Sequence, residues 1–137
     1  KKNTILLADK SIKKLDLKTK IHVLLVKPNI HYSTKFIYSK VKEYSKKQYK
    51  HNYKTYFTKN YLINSKNDLE KIVLSRYPKI KILKNFLSTL VGLIFVRMTG
   101  SGSTIVAYFK SKKALDIATR IFEKQYSNYW SIKSKTI

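Results

Sequence analysis

Apolar residues fall into two rhythms along this chain. Ile21, Val23, Leu24, Leu25 and Val26 make a short apolar run stopped by Pro28, the pattern of a buried strand. Ser33 is then a candidate N-cap, with Ile37, Val41 and Tyr44 following at helical spacing. That helix is expected to fray in the polar, basic, tyrosine-rich stretch from Lys46 to Asn60. Asn67-Asp68-Leu69-Glu70 reads as a capping box, with Asn67 as cap and Glu70 at the third helical position reaching back to it. Apolar residues then recur every three or four positions at Leu69, Ile72, Val73, Tyr77, Ile80, Leu83, Leu87 and Leu90. Pro78 lies inside this face, so a kink or two consecutive helices are predicted, with Pro78 opening the second.

Leu93–Met98 and Thr104–Phe109 read as two strands, joined by Thr99-Gly100-Ser101-Gly102-Ser103 and expected to be central in the sheet. Ser111 is a cap for a helix carrying Ala114, Leu115, Ala118, Ile121 and Phe122 on one face. Tyr129 to Ile132 reads as a last strand with a basic tail. The predicted order is β-α-(α)-α-β-β-α-β, without repeats. Two helices over one face of a mainly antiparallel sheet satisfy it. The fold class is therefore α+β, a ferredoxin-like sandwich with an added helix.

With 137 residues the chain is read as a single domain, 1–137, in which residues 1–20 are a linker or edge segment. The first residue is not methionine, and the chain is read as part of a longer protein. The absence of cysteine excludes a disulfide framework and fits a cytoplasmic setting. His22, His31 and His51 have no ligand spacing, so no metal site is expected. The stretch near Leu87 to Met98 is broken by Ser88, Thr89, Gly92 and Arg97 and is too short to span a bilayer. The net charge of +23 opens an alternative function, a basic nucleic-acid-binding α+β module. Tyr44, Tyr49, Tyr53, Tyr56, Phe57 and Tyr61 interleave with lysines, as a base-stacking surface would. However, only Arg76, Arg97 and Arg120 are arginine, the residue suited to bidentate phosphate contacts. Lys, Ile, Asn, Tyr and Phe share AT-rich codons, and an AT-rich genome would produce the same bias without any selection for anion binding. Nucleic-acid contact beyond nonspecific charge is not expected.

The candidate chemistry lies in the glycine loop. Gly100 and Gly102 permit positive φ and close approach, successive N–H groups there can form an anion nest, and Ser101, Ser103 and Thr104 add hydroxyls. Taken alone, the loop is better read as an ordinary hairpin turn. It opens no helix, so it is neither a P-loop nor a dinucleotide fingerprint.

Three segments in order resemble one family. Val96-Arg97-Met98-Thr99-Gly100-Ser101-Gly102-Ser103-Thr104-Ile105-Val106-Ala107-Tyr108-Phe109 is similar to the third motif of GHMP kinases, which reads much like ARMSGSGATCFALF in the diphosphocytidyl-methylerythritol kinases. Asn67-Asp68-Leu69-Glu70 resembles their NDLE helix start. Leu24-Leu25-Val26-Lys27-Pro28 followed by Ser33-Thr34 resembles LVNPG…VST, with Asn29 standing where the family has glycine. The resemblance implies the C-terminal domain of an ATP-dependent kinase of the isoprenoid pathway, acting on the 2-hydroxyl of diphosphocytidyl-methylerythritol. It implies partnership with an N-terminal domain that carries the ATP loop and the catalytic pair. It assigns Gly100, Ser101, Gly102, Ser103 and Thr104 to the nucleotide phosphates, and Arg97 and Thr99 to substrate. ATP and Mg2+ would be held mainly by the other domain. No catalytic residue is expected in this chain, which by itself should be inactive.

Overall fold

The computed structural model describes residues 3–6, 12–15, 20–45 and 59–136. Strands β1 (Asn3–Leu6) and β2 (Ile12–Leu15) pair antiparallel in a two-stranded sheet of their own, which the apolar pattern did not announce. The main sheet contains β3 (His22–Lys27), β4 (Leu93–Met98), β5 (Ile105–Phe109) and β6 (Trp130–Lys135) in the order β4-β5-β3-β6, every pair antiparallel. This is the expected ferredoxin-like α+β sandwich. One expectation about it fails: β4 is an edge strand, and only β5 of the two loop-bearing strands is interior. The basic tail also continues β6 to Lys135, since its backbone pairs with β3 whatever its side chains are.

Capping chemistry sets the helices. Ser33 accepts the N–H of Phe36 at 3.3 Å and starts α1 (Thr34–Tyr38). That helix stops at Tyr38 instead of continuing through Val41 and Tyr44. The Ser39 hydroxyl takes the Phe36 carbonyl at 2.8 Å, and Lys40 and Val41 donate three residues back, so the helix tightens and ends. Helix α2 covers Lys59–Asn64, overlapping only the last two residues of the stretch expected to fray; residues 46–58, with most of the tyrosine–lysine cluster, lie outside the described residues. Asn67 caps α3 (Asp68–Arg76), and Pro78 opens α4 (Pro78–Ser88) at its first position, the two-helix solution to the interior proline. Ser111 caps α5 (Lys112–Gln125), accepting the Ala114 N–H at 3.1 Å.

The core lies on one face of the sheet. Leu24, Val26, Met98, Ile105, Ala107 and Phe109 meet Leu69 and Val73 of α3, Ile80, Leu83 and Leu87 of α4, and Leu115, Ala118 and Phe122 of α5. On α5 the buried stripe runs 115-118-119-122. Thr119 enters the core with its hydroxyl satisfied by the Leu115 carbonyl at 2.8 Å, while Ile121, expected inside, is exposed. The row Met98–Ile105–Val26–Ser131 crosses all four strands at one end of the sheet. The glycine loop therefore sits at the end where β3 finishes and β6 begins.

Candidate functional site

The loop from Thr99 to Thr104 is a compact structure with defined donors. Thr99 N–H donates to the Thr104 carbonyl at 3.0 Å, and Gly102 N–H donates to the Thr99 carbonyl at 2.9 Å. Gly100 and Gly102 both take positive φ, +53° and +83°. No acceptor among the described residues engages the N–H groups of Gly100, Ser101 or Ser103. These are the uncovered donors of an anion nest.

Two segments hold the loop. From the β3–α1 side, Tyr32 donates its hydroxyl to the Ser101 carbonyl at 2.9 Å, and the hydroxyls of Thr34 and Ser101 lie 3.0 Å apart. Tyr32 stacks on Tyr77 with ring centroids 4.5 Å apart, and burial, with Tyr77 next, pushes its pKa up to about 12. It therefore stays a donor at neutral pH. The turn leading here closes with Ile30 N–H on the Pro28 carbonyl at 2.8 Å. Asn29 adds what the family's glycine lacks, a side-chain amide donating to the Asn128 carbonyl at 3.1 Å.

From the other side comes α3. Asn67 Oδ1 accepts the Leu69 N–H at 3.1 Å, as a cap should. Its amide nitrogen also donates to the carbonyls of Met98 at 2.9 Å and Gly100 at 2.8 Å. Glu70 does not reach back to its cap. Its Oε2 accepts the Met98 N–H at 2.6 Å, and its Oε1 pairs with Lys84 of α4. The reason is the edge position of β4, whose outward backbone groups have no neighbouring strand and take charged and amide side chains instead. The sequence pattern showed a helix cap; it did not show that the cap grips the loop.

The expected site residues separate. Thr99 and Gly100 are exposed, Ser101 and Thr104 are half-buried, and Ser103 is buried with its hydroxyl donated to the Ile30 carbonyl at 3.0 Å. Arg97 donates to the carbonyls of Leu62 at 2.7 Å and Ile63 at 3.2 Å at the end of α2, and lies over the Phe95 ring. Two of its five N–H donors are thus engaged in structure.

Thr99, Gly100, Asn67 and Arg97 line a cleft of about 430 Å³ whose wall includes Tyr38 and Tyr44, both exposed. A neighbouring cleft of about 710 Å³ shares Lys66, Asn67, Asp68 and Arg97 and adds Lys71, Lys81 and Lys84. Glu43, Asp68 and Glu70 line it too, and Glu70 pairs with Lys84; Lys66, Lys71 and Lys81 suit an anionic, phosphate-bearing ligand. Among the described residues, no group of three or more His, Cys, Asp or Glu side chains comes together, so these residues offer no cage for a divalent cation. No helix among them is long and apolar enough to cross a membrane.

Asp68 closes one end of this region. Its carboxylate accepts the N–H of Ser45 at 2.9 Å and also the Ser45 hydroxyl, and these bonds hold its pKa below the ordinary carboxylate range. A depressed pKa means the tether contributes above the unfolded value, about pH 4, and is lost as pH falls through the folded value. The Ser45 amide resonance should therefore shift in one step on the acid side of about pH 4 and should be pH-insensitive in Asp68→Asn. An unchanged titration in the variant would assign the step elsewhere.

Comparison with known proteins decides the family. The profile described as GHMP kinases C terminal matches residues 57–128, more than half of the chain. This chain belongs to the GHMP kinase C-terminal family. Within it, the chain is 49% identical over 133 residues to the 4-diphosphocytidyl-2-C-methyl-D-erythritol kinase of Pelagibacter ubique (strain HTCC1062), covering 97% of this chain and 47% of that protein. The enzyme of that name from Anaplasma phagocytophilum (strain HZ) is 30% identical over 118 residues, covering 85% and 40%. The chain thus spans about half the length of the curated relatives it matches. Among solved structures, a 4-(cytidine 5'-diphospho)-2C-methyl-D-erythritol kinase superposes with a TM-score of 0.68 at 18% identity, over 89% of this chain and 45% of the other. Homoserine kinase from Cytophaga hutchinsonii superposes with a TM-score of 0.65 at 12% identity, over 98% and 47%. The fold is thus shared by kinases named for different substrates.

Proposed function

We propose that this chain is the phosphate- and substrate-side half of an ATP-dependent kinase that phosphorylates the 2-hydroxyl of 4-diphosphocytidyl-2-C-methyl-D-erythritol. The observation that carries this is a glycine loop beside the cleft whose Gly100, Ser101 and Ser103 N–H groups meet no acceptor among the described residues, Gly100 lining the cleft itself, in a chain 49% identical to a kinase of that name. Backbone donors held before the ligand arrives stabilise charge on phosphoryl oxygens without reorganisation. The Ser101 hydroxyl adds a donor beside them. Tyr38 and Tyr44 offer ring faces for the cytosine, and Lys66 and its neighbours screen the diphosphate. When bound, ATP supplies the transferable phosphoryl group and Mg2+ neutralises its charge. The remaining ATP contacts and the catalytic pair belong to the other half of the longer protein, and the setting is the cytoplasm. The family favours this over a nucleic-acid module.

An ADP-release assay tests the reading. The full-length protein should turn over ATP with diphosphocytidyl-methylerythritol, and residues 1–137 alone should not. Turnover by the isolated chain would overturn the division of labour. A full-length protein that phosphorylates only a different alcohol would keep the kinase and replace the substrate.

A further inference from the structure

We propose that Asn67, with Glu70 holding the strand end beside it, is a positioning residue that aims the Ser101 N–H of the glycine loop at the ligand phosphate, on the side of the loop away from α3; this rests on the loop being the phosphate-binding element. Residues in a strand turn their N–H and C=O to the same side, and those of Met98 both face α3. The carbonyl is bound by Asn67 at 2.9 Å and the N–H by Glu70 at 2.6 Å. The first turn of α3 thus replaces the strand that the edge strand β4 lacks.

Peptide planarity carries this grip into the loop. In a trans peptide the carbonyl of one residue and the N–H of the next point in opposite directions. Asn67 holds the Gly100 carbonyl at 2.8 Å, so the Ser101 N–H must point away from α3, and it is one of the uncovered donors. The Met98 carbonyl, held by the same amide, likewise directs the Thr99 N–H to Thr104. Glu70 is itself fixed by Lys84, which ties the loop to α4.

Capping and positioning can be separated by substitution. Asn67→Asp keeps an oxygen for the Leu69 N–H, and aspartate caps as well as asparagine. It replaces the amide with an oxygen facing two carbonyl oxygens. Asn67→Ser keeps the cap but is too short to reach the loop. Ser101→Pro removes the aimed N–H itself and reports on the loop directly. Steady-state kinetics of the full-length enzyme, with urea midpoints for each variant, form the test. All three variants should lower kcat about 100-fold, the size of one lost preorganised donor, with KM for the alcohol substrate within about threefold of wild type. Both Asn67 variants should keep wild-type helix content. Loss in Ser101→Pro with full kcat in both Asn67 variants would overturn the positioning role and leave the loop's role intact. Full kcat in all three would overturn both. A kcat that recovers in Asn67→Ser wherever that variant is fully folded would reduce Asn67 to a helix cap and also overturn the inference.

Discussion

Gly102→Ala is expected to destabilise the protein by roughly 2–4 kcal/mol, from a left-handed conformation imposed on an L-residue and overpacking of a filled site. Gly102 sits at φ +83°, and a Cβ there would lie 2.1 Å from the Tyr32 hydroxyl and 2.6 Å from Met98 Sδ. Neither neighbour can simply swing aside. Tyr32 is held by its stack on Tyr77 and its bond to Ser101, and Met98 is 1% exposed. The loop should therefore move, taking the Ser101 carbonyl off Tyr32 and the N–H groups off their aim. Gly100 is the control. Its φ is +53°, but a Cβ there meets nothing within 4 Å, so Gly100→Ala should cost only about 1–2 kcal/mol for the left-handed conformation. Urea midpoints measure both. Equal midpoints would mean that Gly102 is not packed as described. A glycine of this loop is consequently a poor probe of ligand contact unless stability is measured beside activity.

Phe122→Ala should cost more, about 3–5 kcal/mol, the range for removing a buried aromatic ring. Phe122 is fully buried on α5. It stacks on Tyr126 at 5.4 Å and lies 6.5 Å from Phe86 of α4, which meets Tyr126 edge-on at 5.0 Å; Tyr126 then stacks on Tyr129 at 5.3 Å. The rings fasten α4 to α5 and lead into β6. The cavity left by alanine is walled by two helices and the sheet, which limits collapse. The adjacent Ile121 is 44% exposed, and Ile121→Ala should stay within about 0.5 kcal/mol of wild type. A loss in the denaturation midpoint as large for Ile121→Ala as for Phe122→Ala would reverse the orientation assigned to α5.

Local rules made most elements legible. The two-helix break at Pro78 follows from a ring that cannot sit inside a helix, and the caps at Ser33, Asn67 and Ser111 from side-chain oxygens that reach the first turn. Such effects act within four residues, and no neighbour was needed to anticipate them. The end of α1 at Tyr38 was less legible, because Val41 and Tyr44 continue the helical period while Ser39 draws its bonds inward.

The chain by itself determined the order of the four main-sheet strands and of α1, α3, α4 and α5, the α+β class, and a glycine loop between two apolar strands, but not β1, β2 or α2. The features it did determine are encoded in spacing, capping and φ tolerance, all short-range. Tertiary structure alone decided that β4 lies at an edge, that Glu70 leaves its cap for the Met98 N–H, that Arg97 turns to the end of α2, and that Ser103 is buried against Ile30. Each is a choice between a nearby partner and a distant one. A polar side chain with several candidate partners takes the one whose backbone group would otherwise be left unpaired. Which group that is depends on the pairing of strands separated by tens of residues.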